Sequence, residues 1–429
     1  MKLNQLPPAE QLVRAMARIY ENKMTTTSGG NLSIRDENGD IWITPSGIDK
    51  GNLRPADICR IGPDGTATGP HKPSVEWPFH AAIYKRRPDL GAVLHAHPPA
   101  LVAFSLTRSL PDIRLAAPIS RLLSPLSLAT YALPGSQTLG ANIASEFEKG
   151  FDIVLLENHG MVVGAKDMTE AYMQFESLER AAVMEINARG IGKPRLLAAD
   201  DIGPTGSGEE CGKPACVADK GEAPGQTGRQ EMLEMIRRSL RQGLFGAALG
   251  TCSLRCDETG FLITPDGIDR AEMEAGDLLF IRQGQSTPPS STARLHQLIY
   301  EKQPGIQAIL GALPVHAMAF GITDVTLDPR TIPESLIMLK RIKTVPLGWA
   351  YREQEQLAAA FSKVTPVIIV ENGQILATGA SLLEAFDRLE VAEATAQSII
   401  HAQSIGAIVH ISDSEVSELD EAFGLGLNA

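Results

Sequence analysis

From Ala9 to about Lys23, the residues Leu12, Ala15, Met16 and Ile19 recur at helical spacing, and this apolar stripe predicts an amphipathic helix. Short β-rich segments follow, each closed by a turn signal. A strand leaves Gly29-Gly30, Glu37-Asn38-Gly39-Asp40 forms a hairpin corner, and strands are expected over Ile41–Thr44 and residues 57–61. Lys72 to His80 leads into a helix of about ten residues that ends near Arg87-Pro88. The run Ala92–His97 is apolar and β-rich, carries two histidines at i and i+2 and stops at paired prolines. Ile153–Leu156 is apolar throughout, as in a strand buried on both faces. The second run resumes as Met161–Val163 after Glu157-Asn158-His159-Gly160, so a polar corner interrupts buried β structure. Asp167 with Glu170 reads as a capping box opening a long helix towards Gly190.

The pattern then recurs. Residues 200–228 are rich in Gly, Pro, Thr, Asp and Glu without periodicity, as a linker would be. Beyond it, Leu262–Asp269 repeats Trp42–Asp49, and Ala308–Pro314 repeats Ala92–Pro98. Val370–Gly373 repeats Leu156–His159, and Ser381 with Glu384 again caps a long helix. The chain therefore reads as a tandem duplication, with copies at 1–200 and 229–429 joined by a linker at 201–228.

Composition narrows the class. The 429 residues are 43% hydrophobic and 21% charged, values of a soluble globular protein. A net charge of −12 argues against a nucleic-acid partner or an anionic membrane, while leaving room for a local basic pocket. The N-terminus has no apolar core like a signal peptide's, and no run approaches ~18 apolar residues, so a cytoplasmic location is expected. The cysteines Cys59, Cys211, Cys216, Cys252 and Cys256 lack C-x-x-C spacing and read as reduced thiols.

In a strand, His95 and His97 project from the same face, a disposition that suits a divalent metal such as zinc. The alternative is a pair of polar residues on a half-exposed edge. A third histidine, His159, sits where the buried β run breaks at a glycine. The loop Thr25–Ile34, with Ser28, Gly29 and Asn31, either presents N–H and hydroxyl groups to an anion or is a plain turn. Pro45-Ser46-Gly47 forms a second such corner. His71 and His80 read as surface or packing residues. Glu157 reads equally as a group orienting a ligand histidine or as a strand-end charge.

Three segments, in order, resemble the class II aldolase/adducin family: the Ser-Gly-Gly-Asn and Thr-Pro-Ser-Gly corners, the Pro-Ser-x-Glu to His-x-His stretch, and the Asn-His-Gly. The resemblance implies three-layer α/β/α domains with mostly antiparallel central sheets. It implies a zinc ion, or another divalent metal, on His95, His97 and His159. Glu76 falls at the position of the acid that ligates metal at rest and acts as base. Asn31, Ser46, Gly47 and Ser74 fall at phosphate-binding positions, in loops that include Ser28 and Gly29, and Tyr131 falls near that of a proton-donating tyrosine from a neighbouring subunit. The activity implied is retro-aldol cleavage of a phosphorylated ketose in a homo-oligomer.

Val75 departs from the pattern, because a second serine often stands there. That departure keeps a phosphorylated keto-acid decarboxylase in play. A pentulose-phosphate epimerase would typically carry Asp at Glu76, and an adducin-like interaction module would have lost its metal residues. The second copy has lost them: Gly311, Leu313 and Gly373 stand opposite His95, His97 and His159, and Thr292 and Asp266 opposite Glu76 and Ser46. It is expected to be catalytically dead and structurally necessary, with Tyr351 a candidate donor to the first copy's pocket.

Overall fold

In the computed structural model, which describes residues 2–198, 201, 226–257, 260–282 and 291–427, the apolar runs become two mixed sheets. Cys211, Cys216 and nearly all of the linker expected at 201–228 lie outside the described residues.

The first sheet is built from β1 (Asn31–Arg35), β2 (Ile41–Ile43), β3 (Cys59–Ile61), β4 (Ala67–Thr68), β5 (Ala92–Ala96), β6 (Leu126–Ala129), β7 (Ile153–Leu156) and β8 (Met161–Ala165). Their order is β4-β3-β2-β1-β5-β8-β7-β6. All neighbours run antiparallel except β6 and β7. The helices are α1 (Pro8–Glu21), α2 (Trp77–Arg86), α3 (Pro99–Leu106), α4 (Gln137–Glu148) and α5 (Met168–Ile191).

Phe79, Ile83 and Tyr84 of α2 and Leu139, Ile143 and Phe147 of α4 meet Val93, Val154 and Val162 of the sheet in one buried cluster. Each such large side chain contributes about 1.5–3 kcal/mol when fully buried. On the other face the stripe Leu12, Ala15, Met16 and Ile19 of α1 is fully buried against β1 and β2. There α1 is tied to α5 by Arg18 over the Tyr172 ring at 3.9 Å and by Asn22, which donates to the Tyr172 hydroxyl at 3.1 Å. The result is the three-layer arrangement.

Register positions the chemistry. Asn31 pairs with His95 and Ser33 with Val93 across β1 and β5, so all four face α2. A slip of one residue would turn every one of them to the α1 side. The cap of α5 differs in one detail from the expected box. Asp167 Oδ1 accepts the Glu170 N–H at 2.8 Å, but Glu170 Oε2 accepts from the Lys166 N–H at 3.3 Å, one residue before the cap.

The second sheet repeats the first with β9 (Thr251–Asp257), β10 (Gly260–Ile263), β11 (Leu279–Arg282), β12 (Ala308–Ala312), β13 (Ile342–Val345), β14 (Val367–Val370) and β15 (Ile375–Gly379). Its order is β11-β10-β9-β12-β15-β14-β13, with β13 and β14 the parallel pair. Helices α6 (Gln226–Arg241), α7 (Ser291–Lys302) and α8 (Leu382–Gln403) stand where α1, α2 and α5 stand in the first copy. The capping variation of α5 recurs on α8, where Glu384 Oε2 accepts from the Ala380 N–H at 2.6 Å.

Two compact units divide the chain: residues 1–112 with 122–182, and residues 113–121 with 183–429. The second unit thus includes a segment that the sequence puts in the first copy. Leu115, Ala116, Ala117 and Ile119 of that segment are fully buried. Asn372 donates to Leu115 O at 2.8 Å and accepts from the Ala117 N–H at 2.8 Å. Tyr351 of the same unit is half-buried against its core, with Arg121 over its ring at 4.4 Å.

Residues 1–200 expressed alone should therefore be insoluble or melt well below the full chain. Leu115 and Ile119 would lose burial worth about 1.5–3 kcal/mol each. Solubility and a thermal melt check this, and a soluble fragment melting like the full chain would refute it.

Candidate metal centre and active site

His95, the penultimate residue of β5, is fully buried, and His97, expected within the strand, follows one step beyond its end. His95 Nδ1–H donates to Met161 O at 2.8 Å, which turns Nε2 towards Glu76 and His97. His97 Nε2 lies 3.1 Å from it. His159 enters from the β7–β8 turn, where Asn158 adopts φ 54° to reverse the chain tightly. Its ring centroid is 4.9 Å from those of both other histidines. One ligand atom from each of the three lies within 4.8 Å of the others.

Glu76, just before α2, is only 6% exposed. Its Oε2 lies 3.2 Å from His95 Nε2, and its Oε1 lies 3.6 Å from His159 Nε2 without a hydrogen-bond partner. Facing ring nitrogens plus an unsatisfied buried carboxylate oxygen form a donor set that fits a divalent cation. Burial works against the charged form of Glu76, but His95 and the hydrogen bonds from His95 and Asn31 hold it well below the usual carboxylate range. Burial lowers His97 to about 3 and His159 to about 4, so both are neutral imidazoles, the ligating form. His95 shifts the other way: burial opposes its charge, and Glu76 more than offsets this.

Two glycines make room for the rings. A Cβ on Gly160 would lie 2.4 Å from Ala96 O and 2.5 Å from His97 Cδ2. One on Gly29 would meet Thr25 Oγ1 at 2.9 Å and His97 Nδ1 at 3.0 Å.

The candidate anion loops come together. Lys50 N–H donates to Thr27 O, Ser46 N–H to Lys72 O and Ser74 N–H to Thr44 O, which joins residues 25–30, 44–50 and 72–74. Ser28 and Gly47 are exposed, Ser46 is half-buried, and Ser74 is buried with its hydroxyl on the Glu76 N–H at 3.2 Å. Under this cluster Lys50 is buried, its Nζ on Pro45 O at 2.5 Å, and burial lowers its pKa to about 8. Nothing in its local sequence marks Lys50.

Asn31 is tied up differently from a simple anion donor. Its Nδ2 donates to Glu76 Oε2 at 2.7 Å, and its Oδ1 accepts from His80 Nε2 at 2.5 Å. His80, read from sequence as a surface or packing residue, is fully buried within this polar chain. Its signal in the sequence is weak: a histidine four residues after Glu76, on the same helix face. His71 instead pairs with Asp57 at 3.0 Å. Glu157 accepts from the Tyr131 N–H at 3.0 Å and faces Arg108 at 3.7 Å, so it holds a loop rather than a ligand histidine. Tyr131 lies on that loop with its side chain 56% exposed, apart from the buried groups converging on Glu76. Val75 is 67% exposed, and Gly135 of the same loop rests against its backbone.

In the second copy the space corresponding to the three histidines is filled. A Cβ on Gly311 would lie 2.6 Å from Thr251 Oγ1 and 2.9 Å from Gln374 Oε1. Gln374 stands where the first copy has Gly160, so bulk has moved from the ligand position to the glycine position.

The family model described as the class II aldolase and adducin N-terminal domain matches residues 10–186 and again residues 230–400. The chain is similar to the 5-methylthioribulose-1-phosphate/5-deoxyribulose-1-phosphate aldolase of Rhodospirillum rubrum, 32% identical over 192 residues, covering 44% of this chain and 86% of that protein. It is similar to the L-fuculose phosphate aldolase of Methanocaldococcus jannaschii, 32% identical over 178 residues, 41% of this chain and 94% of that protein. It is also similar to the 3-oxo-tetronate 4-phosphate decarboxylase of Escherichia coli, 30% identical over 197 residues, 45% of this chain and 92% of that protein.

Metal analysis of the zinc-loaded chain should give about one equivalent, lost in His97→Ala and reduced in Gly160→Ala, whose methyl pushes the His97 ring aside. Full metal retention by His97→Ala would remove that residue from the ligand set. Placing Gly311→His, Leu313→His and Gly373→His together should add no second equivalent, because Gln374 already fills the space.

Proposed function

The chain belongs to the class II aldolase and adducin N-terminal domain family, matched over both copies, and on that premise we propose that it is a metal-dependent aldehyde-lyase cleaving a phosphorylated ketose by retro-aldol chemistry. The observation that carries this reading is Glu76 Oε1, a buried carboxylate oxygen without a hydrogen bond, beside three imidazoles. A purely structural carboxylate would have both oxygens satisfied. His95, His97, His159 and Glu76 are the residues that would hold the cation, and zinc suits so nitrogen-rich a set. Such a cation supplies Lewis-acid stabilisation of the negative charge that builds beside the ketone as the C–C bond breaks.

The chain's own groups do the rest. Ser28, Gly29, Ser46, Gly47 and Ser74, on three loops joined by hydrogen bonds, offer hydroxyl and N–H donors to a phosphate, with the Lys50 cation beneath. Asn31 adds its second amide proton. Glu76 Oε1 is the base at the carbon beside the ketone, taking the proton there in condensation. In cleavage it returns to that carbon the proton released by the hydroxyl of the aldehyde half, so no net proton is gained or lost. Tyr131 is the phenol we assign to the hydroxyl proton of the aldehyde half, delivered to a neighbouring copy in a homo-oligomer. Residues 1–200 carry this site, and residues 229–429, without ligands, are non-catalytic.

A second reading has one observation in its favour. Val75, exposed beside Glu76, puts an apolar side chain where a hydroxyl would serve a phosphate. Decarboxylation of a phosphorylated keto acid, the activity in the name of the Escherichia coli relative, builds the same charge beside a ketone without needing an aldehyde-half donor. A panel of phosphorylated ketoses and keto acids, given to the metal-loaded chain, separates the two by product: dihydroxyacetone phosphate with an aldehyde, or carbon dioxide.

Glu76→Gln should leave the fold intact and lower turnover at least ~100-fold, because an amide can neither take the proton nor return it. A near-normal rate in that variant would exclude Glu76 as the base.

A further inference from the structure

We infer that His80 is a positioning residue that, through Asn31, decides which oxygen of Glu76 is free for chemistry. The inference rests on the role proposed above for Glu76.

The hydrogen bonds have only one consistent sense. A carboxylate only accepts, so Asn31 must turn its Nδ2 towards Glu76 Oε2 and its Oδ1 towards His80. His80 Nε2 then carries the proton it donates to Asn31 Oδ1 at 2.5 Å. Its Nδ1 is left as an acceptor for the Ser33 hydroxyl at 2.7 Å. The Tyr84 hydroxyl lies 2.9 Å from Ser33 Oγ and donates to Ser33 O at 3.1 Å. Burial holds His80 at about 3, so the ring stays neutral with this tautomer. Phe79 stacks on it at 4.4 Å, fixing the ring plane. A neutral, single-tautomer donor with no rotational freedom prevents the Asn31 amide from flipping. An amide that cannot flip keeps Oε2 occupied and Oε1 open.

The second copy supplies a control within the same molecule. Ser253, His296 and Tyr300 reproduce the far end of the chain, with Ser253 Oγ 2.7 Å from His296 Nδ1 and 2.8 Å from the Tyr300 hydroxyl. Thr251 replaces Asn31 and Thr292 replaces Glu76, and the buried His296 Nε2 has no hydrogen-bond partner among the described residues. The serine–histidine–tyrosine group is therefore part of the fold in both copies. Only in the first is it extended, through Asn31, to a carboxylate.

The test compares His80→Leu, His80→Gln and His296→Leu in the full metal-loaded chain, with the cleavable substrate found in the panel. His80→Leu should lower kcat about 10–100-fold with KM within about twofold of wild type. His80→Gln, whose amide places a donor near the Nε2 position, should restore most of kcat. His296→Leu should lower the melting temperature comparably and leave kcat unchanged. Equal kcat in His80→Leu and His296→Leu overturns the inference. Should His80→Leu fail to fold, Ser33→Ala and its counterpart Ser253→Ala replace the pair, the first alone expected to reduce kcat. Crystal structures of the metal-free variants give a readout independent of turnover. The Asn31–Glu76 contact should break in His80→Leu, or in Ser33→Ala where that pair is used, and persist in the second-copy control. An intact contact overturns the positioning role, whereas absence of any turnover in wild type counts only against the proposed function.

Discussion

A carboxylate withdrawn from water is the constraint around which the first copy is built. Removing an ion of that size from solvent carries a penalty of several kcal/mol unless hydrogen bonds and opposite charge make it good. Glu76 receives the Asn31 amide and the His95 ring on one oxygen, while the other, 3.6 Å from His159 Nε2, has no hydrogen bond among the described residues. Each compensating group is set by a different element. The β1–β5 register puts Asn31 opposite His95, α2 carries His80 behind Asn31, and the β7–β8 turn delivers His159. Because these elements are far apart in sequence, none can shift without exposing an uncompensated charge. The unsatisfied oxygen is the residue of that arrangement, and it points at the three imidazoles.

Comparing the copies separates what folds the chain from what acts. Strand order, the single parallel pair, the cap variation on the long helix and the serine–histidine–tyrosine group are common to both. The carboxylate, its asparagine and the ligand histidines are confined to the first copy. Where the charge is gone, the space closes, with Gln374 and Thr251 lying against Gly311. A buried carboxylate with an unsatisfied oxygen costs free energy, and the second copy shows the alternative: neutral side chains packed into the corresponding space.

Much of this was legible in the sequence, for physical reasons that also mark where legibility ends. The α1 stripe, the buried strands and the Asn38-Gly39 corner announce themselves because burial patterns and turn conformations are local. Gly39 indeed has φ 82°. The repeat exposed the domain plan, and the same-face rule brought His95 and His97 together. His80 was not legible as part of the site. A histidine on an amphipathic helix looks alike whether it faces apolar side chains or the amide of a distant strand, and only register decides. Lys50 was hidden likewise, since its burial depends on loops brought together from three parts of the chain. Residues 113–121 pack with the second unit although the repeat places them in the first copy, because repeats record ancestry and compact units record packing.

The turn that carries His159 in the first copy shows what a lost site becomes. Asn158 and Asn372 keep nearly the same left-handed conformation, φ 54° and 49°. That conformation exists to reverse the chain between two buried strands, and it survives the loss of the histidine beside it. In the second copy the Asn372 side chain donates to Leu115 O and Arg195 O, both at 2.8 Å. Glu371 meanwhile faces Arg195 at 3.2 Å. The turn of the second copy is thus held by hydrogen bonds to segments that precede the second repeat. Those bonds hold the turn in place with no histidine beside it. The turn is therefore a packing element in its own right, common to both copies whatever chemistry each performs.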